Sequence, residues 1–88
     1  MEYEWDPTKA AANQRKHNVS FEGVVEFEWD KALVEEDDRY PYGESRYYAL
    51  GMIQGRIHAL IFTIRSGIVR VISLRKANTR ERQRYEQG

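Results

Sequence analysis

The chain has 88 residues, of which 41% are hydrophobic and 32% charged, with 14 basic and 14 acidic side chains, two histidines and no cysteine. This length supports one hydrophobic core and therefore one domain over residues 1–88, and no run reaches the roughly 18 apolar residues of a membrane span. With no signal peptide and no cysteine, the sequence predicts a cytoplasmic protein without disulfides, thiolate chemistry or a metal site.

Charge is distributed unevenly along the chain. Residues 1–45 carry 12 acidic and 5 basic side chains, a balance of −7, whereas residues 46–88 carry 2 and 9, a balance of +7. Two interpretations are open: a positive surface attracts polyanions, or the two halves neutralise each other in the folded chain. The positions of the basic residues in the fold decide between them.

The N-terminal part predicts a short strand and two helices. The opening YEW favours a strand, and Asp6 before Pro7 is a typical helix start. This first helix should end at Asn18, which tolerates the left-handed conformation of a C-terminal cap. Ser20 can cap a second helix, whose helically spaced apolar positions are Phe21, Val24, Val25 and then Phe27 or Trp29.

The remainder predicts an antiparallel meander followed by one helix. A brief strand, ALVEED, precedes the loop DDRYPYGES, and three longer runs, RYYALGMI, RIHALIFTI and GIVRVISLR, are separated by the short turns QG and RSG. Strict alternation along the last strand would place Arg70 and Arg75 on opposite faces. The order β-α-α-β-β-β-β-α indicates an α+β domain with an antiparallel sheet of about four strands.

The last helix is marked by its cap and has little apolar surface. Asn78 followed three residues later by Glu81 is a capping-box pattern, so the helix should begin at about Thr79. Only Tyr85 is substantially apolar after Ala77, and core packing therefore does not explain this helix.

Nucleotide-loop, zinc-protease and hydrolase motifs are absent, which leaves a basic and polar set of candidates. Lys9, Asn13 and Lys16 or His17 form one stripe along the first helix, which is either a functional surface or a solvated face. Arg75 at a strand end either grips a phosphate or is a rim residue with its head in water. His17 can transfer protons near neutral pH or interact with the helix dipole, and Tyr85 either stacks on a base or attaches the last helix to the sheet.

Two spaced motifs carry a family resemblance. The segments DPTKAAANQRKHNVSFEGVVEFE and VISLRKANTRERQRYE, with Arg46 on a strand between them, resemble the BrnT family of bacterial toxins, which have a RelE-like ribonuclease fold. The chain departs from the family's usual appearance at Asn18, where glycine is typical, and at Leu74, where alanine is frequent. Asn18 keeps the left-handed turn, whereas Leu74 is expected to add bulk beside Arg75.

The resemblance implies a toxin of a type II toxin-antitoxin system, a metal-independent endoribonuclease without a cofactor that cleaves RNA and so inhibits translation. It also implies a hetero-oligomer with a BrnA-like ribbon-helix-helix antitoxin. A non-catalytic module that binds nucleic acid or an acidic partner remains the alternative. The catalytic candidates are His17, Arg75, Arg80, Glu81 and Tyr85. The candidates for RNA binding are Lys9, Lys16, Arg46, Lys76 and Arg84. Spacing does not assign the general base and the general acid among His17, Glu81 and Tyr85.

Overall fold

A computed structural model describes all 88 residues and shows one five-stranded sheet with helices on both faces. The strands are β1 (Tyr3–Glu4), β2 (Leu33–Asp37), β3 (Arg46–Ile53), β4 (Arg56–Arg65) and β5 (Ile68–Lys76), and the α-helices are α1 (Pro7–His17) and α2 (Thr79–Gln87). Two 3₁₀ helices, Phe21–Glu26 and Trp29–Lys31, connect α1 to β2. No helix is long and apolar enough to cross a membrane.

The predicted α+β class and the meander are confirmed, but the prediction of about four antiparallel strands is wrong. The strand order is β1-β5-β4-β3-β2, and β1 pairs in parallel with β5, so the sheet is mixed. Tyr3 lies opposite Val69 and Glu4 opposite Arg70. A strand of two residues has no alternation of its own, and its pairing with a distant strand is not visible in the local sequence.

Two tight turns fix the register of the meander. Gln54 and Gly55 have φ angles of 49° and 77°, and Ser66 and Gly67 have φ angles of 52° and 77°. Positive φ at both central residues is typical of the type I′ turn, whose twist matches that of a two-stranded ribbon. The predicted turns are therefore confirmed, and they place β4 at the centre of the sheet with most of its residues buried.

The second predicted helix is a 3₁₀ helix. Phe21, Val24 and Phe27 are buried at intervals of three residues, which is the period of a 3₁₀ helix. Val25, predicted to face the core, is 66% exposed. Gly23 and the β-branched Val24 and Val25 are poor α-helix formers, and this accounts for the tighter and shorter helix.

The main core lies between the sheet and the N-terminal helices. Phe21 and Val24 pack there against buried strand residues that include Ala49, Leu60 and Leu74. The opposite face of the sheet is covered in part by α2, whose one buried residue is Glu81. We call this second surface the α2 face.

A β-bulge in β5 changes which residues reach the α2 face. The paired residues on either side of it are Ile61 with Ser73 and Phe62 with Val71, so Ile72 has no opposite residue. Arg70 then lies opposite Thr63 and Arg75 opposite Ala59, and these partners are an even number of residues apart in β4. The two arginines therefore share the α2 face, and the prediction of opposite faces is wrong because the extra residue shifts the alternation.

Leu74 lies on the other side of the sheet from Arg75, because adjacent residues of a strand alternate between its two faces. Leu74 is fully buried in the main core, opposite Leu60. Its bulk therefore does not lie beside the Arg75 side chain as expected.

Candidate active site

Asn13 fixes α1 against the exposed edge of β5. Its Nδ2 donates to the carbonyl oxygens of Leu74 at 2.7 Å and Val19 at 3.1 Å, and its Oδ1 accepts from the Leu74 amide at 3.3 Å. The side chain thus pairs with β5 beyond the point where β1 ends, in the manner of a neighbouring strand. The polar stripe predicted on α1 is directed at β5, and its central residue is structural.

The rest of that stripe lines a shallow groove of about 240 Å³ between α1 and β5, formed by residues that include Lys9, Lys16, His17, Ile72 and Ser73. Burial lowers the pKa of His17 below 6.5, and the positive charges of Lys16 and Arg75 lower it further. His17 is therefore predominantly neutral at pH 7.

A single carboxylate joins α2 to the sheet. Glu81 occupies the third position of α2, where its Oε1 accepts from the Asn78 amide at 2.9 Å while Asn78 Oδ1 accepts from the Glu81 amide at 2.8 Å. Arg75 donates to Oε1 at 2.7 Å and to Oε2 at 2.9 Å, and the Tyr48 hydroxyl also donates to Oε2. The predicted capping box is confirmed, and the same carboxylate orients Arg75.

These contacts determine the ionisation of the group. Burial opposes the charge of Glu81, but hydrogen bonds from Arg75, Tyr48 and the Asn78 amide outweigh burial and lower the pKa to about 2. Burial and the hydrogen bond to Glu81 raise the pKa of Tyr48 to about 12. The hydrogen bond to Glu81 raises the pKa of Arg75. At neutral pH the cluster therefore holds an ionised carboxylate, a protonated phenol and a guanidinium.

A second ion pair attaches α2 one turn later. Arg84 donates to both carboxylate oxygens of Glu35 on β2, with one distance of 3.2 Å. This pair is exposed, with side-chain exposures of 51% and 49%. Between α2 and the start of the β2–β3 loop lies a depression of about 310 Å³, which we call the α2 cleft. Its lining includes Asp37, Arg39, Tyr48, Arg75, Glu81 and Arg84.

The other predicted site residues are spread around this cluster. Arg80 is exposed in the first turn of α2, and Tyr85 is half-buried one turn after Glu81. Arg46 lies at the start of β3, paired with Glu44 at 3.3 Å. Lys76 lines a separate groove of about 380 Å³ with Arg56 and Arg82. The structure thus brings together Arg75, Glu81 and Arg84 at the α2 cleft, whereas His17 lines the groove between α1 and β5 and Lys76 lines a third groove.

Ion pairs account for much of the charge asymmetry. Six pairs form, and four of them join the acidic half to the basic half: Glu4–Arg70, Glu35–Arg84, Glu44–Arg46 and Glu44–Arg65. The acidic and basic halves of the chain therefore neutralise part of each other's charge in the folded protein. Lys9, Lys16 and Arg80 form no salt bridge, so they provide unpaired positive charge on α1 and α2.

Sequence reasoning missed Tyr48, Glu35 and Asp37. Alternation along β3 places Tyr48 on the same face as Arg46, and this pattern could have identified it. A tyrosine within the apolar run RYYALGMI is nevertheless an ordinary strand residue, and only its contact with Glu81 distinguishes it.

The fold and this cluster describe a small α+β domain in which an arginine is oriented at the junction of the last strand and the last helix. A family model described as the ribonuclease toxin BrnT of type II toxin-antitoxin systems matches residues 5–81, and the chain belongs to this family. The match includes His17, Arg75, Arg80 and Glu81, whereas Arg84 and Tyr85 lie beyond it. No curated protein matches the chain.

Proposed function

We propose that this protein is a metal-independent endoribonuclease that inhibits translation by cleaving RNA around Arg75. The observation that carries the proposal is the bidentate contact of Arg75 with Glu81, which orients a guanidinium beside the α2 cleft. Membership in a family of ribonuclease toxins supports the reaction class.

The proposed reaction uses the 2′-hydroxyl of RNA as its own nucleophile. Neutral His17 accepts the proton of that hydroxyl as the oxygen attacks the adjacent phosphorus, and the bond to the 5′-oxygen of the next nucleotide breaks. The products are a 2′,3′-cyclic phosphate and a 5′-hydroxyl. Arg75 and Arg80 stabilise the added negative charge of the transition state. Tyr85 is the candidate that returns a proton to the leaving oxygen.

Glu81 has a different role in this proposal. Its carboxylate accepts four hydrogen bonds and has a pKa of about 2, so it is ionised and fully occupied at neutral pH. We therefore assign Glu81 to positioning Arg75 rather than to proton transfer.

Cleavage of labelled RNA by purified variants tests the assignment. Arg75→Ala, Arg80→Ala and His17→Ala should each reduce the cleavage rate by about 10²–10³, the usual effect of losing one positioned transition-state contact. Arg15→Ala is the control, because it removes an exposed cation from α1 that lies outside the groove. Arg75→Ala with parental activity would show that the site is misplaced.

The same assay tests the mechanism. Cleavage should persist in a metal chelator, and an all-deoxy substrate should stay intact because it lacks the nucleophile. The rate should rise with pH through a pKa below 6.5 and level off near neutrality, because His17 must be neutral to act as a base. A strict requirement for magnesium, or cleavage of DNA, would contradict the mechanism.

The alternative is a module that binds nucleic acid or an acidic partner without cleaving it. It is favoured by the neutralisation of Arg75 and Arg84 by carboxylates, which reduces the positive potential of the cleft. RNA binding without any cleavage by the parent protein would support this alternative.

For the antitoxin, we propose a BrnA-like ribbon-helix-helix protein that forms a hetero-oligomer with this chain and covers α2 and the cleft. The family is one of type II systems, in which a toxin has an antitoxin. Because α2 buries only Glu81, most of its surface is available to a partner. Inhibition is then direct occlusion of the site.

A further inference from the structure

The loop between β2 and β3, residues 38–45, presents an aromatic ring that the proposed reaction does not use. Tyr40 is 64% exposed. The Arg39 guanidinium lies 5.9 Å from the centroid of its ring, and the Tyr42 ring packs edge-on against it at 5.7 Å. An exposed ring with an adjacent guanidinium is the combination on which nucleic-acid bases stack.

The two side chains that contact the Tyr40 ring, Arg39 and Tyr42, are held in place by the buried carboxylate of Asp37. Asp37 accepts from Arg39 at 2.8 and 3.0 Å and from the Tyr42 hydroxyl at 3.2 Å. The Arg46 guanidinium lies over the other ring of the pair, 4.0 Å from the Tyr42 centroid. Both neighbours of Tyr40 are therefore fixed before any ligand binds, which reduces the entropy lost on binding.

The loop is continuous with the proposed catalytic cluster. Asp37 and Arg39 line one side of the α2 cleft, and Arg75 and Glu81 line the other. The charge of Arg39 is near enough to Arg75 to act on its ionisation. The loop that carries Tyr40 therefore begins at the rim of the cleft that Arg75 lines.

We propose that Tyr40 forms a base-stacking subsite for single-stranded RNA, in which a nucleotide adjacent to the scissile phosphate stacks its base on the exposed ring. Bases of a single strand can be splayed out to reach such a ring, whereas paired bases cannot. The subsite deepens the ribonuclease proposal and rests on it for the position of the phosphate.

The test measures binding without cleavage. The probe is a single-stranded 2′-O-methyl oligoribonucleotide with a fluorescent label, which lacks a free 2′-hydroxyl, and its Kd is measured by fluorescence anisotropy. Tyr40→Ala should weaken binding by about 5- to 140-fold, which corresponds to a stacking free energy of about 1–3 kcal/mol per base. Tyr40→Phe keeps the ring and should bind within about twofold of the parent.

Two controls separate stacking from other effects. Ile64→Ala trims an exposed apolar side chain on β4 and should leave the Kd unchanged. The same oligonucleotide paired with its complement should bind the parent and Tyr40→Ala equally, because its bases are not available.

The subsite is refuted if Tyr40→Ala binds the single strand as tightly as the parent, if binding of the duplex falls equally, or if the parent does not bind the single strand. These results are distinguishable from failure of the ribonuclease proposal. A parent that binds through Tyr40 but never cleaves RNA would keep the subsite and remove the enzyme. If the parent cleaves RNA and Tyr40→Ala binds the single strand as tightly as the parent, the ribonuclease proposal stands and the subsite is refuted.

Discussion

Replacing Glu81 with glutamine removes the charge that joins α2 to the sheet while keeping the size of the side chain. Glutamine is also accepted at the third position of a capping box, so the start of the helix should persist. The change therefore isolates the electrostatic contribution of the contacts with Arg75 and Tyr48.

The magnitude follows from the pKa. An ordinary glutamate titrates at 4.5, and Glu81 does so at about 2 in the folded chain. At about 1.36 kcal/mol for each pKa unit, this difference corresponds to about 3 kcal/mol of stability at neutral pH. Because the Arg75 side chain is 30% exposed, solvent screens part of the interaction. We expect Glu81→Gln to lower the free energy of unfolding by about 2 kcal/mol at pH 7.

The pH dependence has a definite sign. The folded-state pKa of Glu81 is depressed, so its contribution is fully present above about pH 4.5 and is lost as the pH falls towards 2. The parent should therefore lose stability in this range faster than the variant. Urea unfolding followed by tryptophan fluorescence between pH 2.5 and 7 measures both curves.

Glu35→Gln is the matched control. Like Glu81, Glu35 makes a bidentate ion pair that joins α2 to the sheet, here with Arg84, but this pair is exposed. Its loss should reduce the free energy of unfolding by no more than about 1 kcal/mol. Equal effects of the two substitutions at pH 7, or parallel pH curves for the parent and Glu81→Gln, would refute the assignment of Glu81 as a buried stabilising charge.

Two further predictions concern α1 and α2. Asn13→Ala removes all side-chain partners of the Leu74 backbone and should lower the free energy of unfolding by about 2–4 kcal/mol. Gln14→Ala, at an exposed neighbouring position, should change it by less than about 0.5 kcal/mol. If Asn13→Ala changes the free energy of unfolding as little as Gln14→Ala does, water replaces these hydrogen bonds. Amides of residues 79–87 should be better protected from exchange in the antitoxin complex than in the free protein, where Glu81 and Arg84 hold α2 to the sheet. The association rate should fall as salt rises, and equal protection in both states would remove the main support for occlusion.

Local chemistry made much of the fold predictable. Asp6 and Ser20 cap the helices that they were predicted to cap, and Asn18 adopts the left-handed conformation with a φ of 57°. The turn at Gln54 and Gly55 follows from the same kind of short-range constraint. Each of these features depends on residues within about four positions, so a single sequence contains the information.

The features that sequence did not predict depend on distant contacts. The segment VRVISLR shows regular alternation, and nothing within it indicates that Ile72 is the extra residue of a bulge. The register with β4 decides this, and with it the face on which Arg70 lies. Likewise, Tyr48 joins the site through Glu81, which is 33 residues away in the chain. Residue type and hydrophobic period do not predict such long-range pairings.

Glu81 connects the local and the distant information. Its spacing from Asn78 predicts a helix start, and the helix start is what brings its carboxylate to Arg75 at the end of β5. The ion pair with Glu81 cancels the charge of Arg75. Arg75 therefore orients a bound anion through the guanidinium N–H donors that Glu81 does not use, and adds little long-range attraction. Attraction for a polyanion must then come from cations without ion pairs. Those nearest the ends of the two helices are Lys16 on α1 and Arg80 on α2. The cations of the chain are thus divided between arginines whose ion pairs hold the fold in place and a few that form no ion pair.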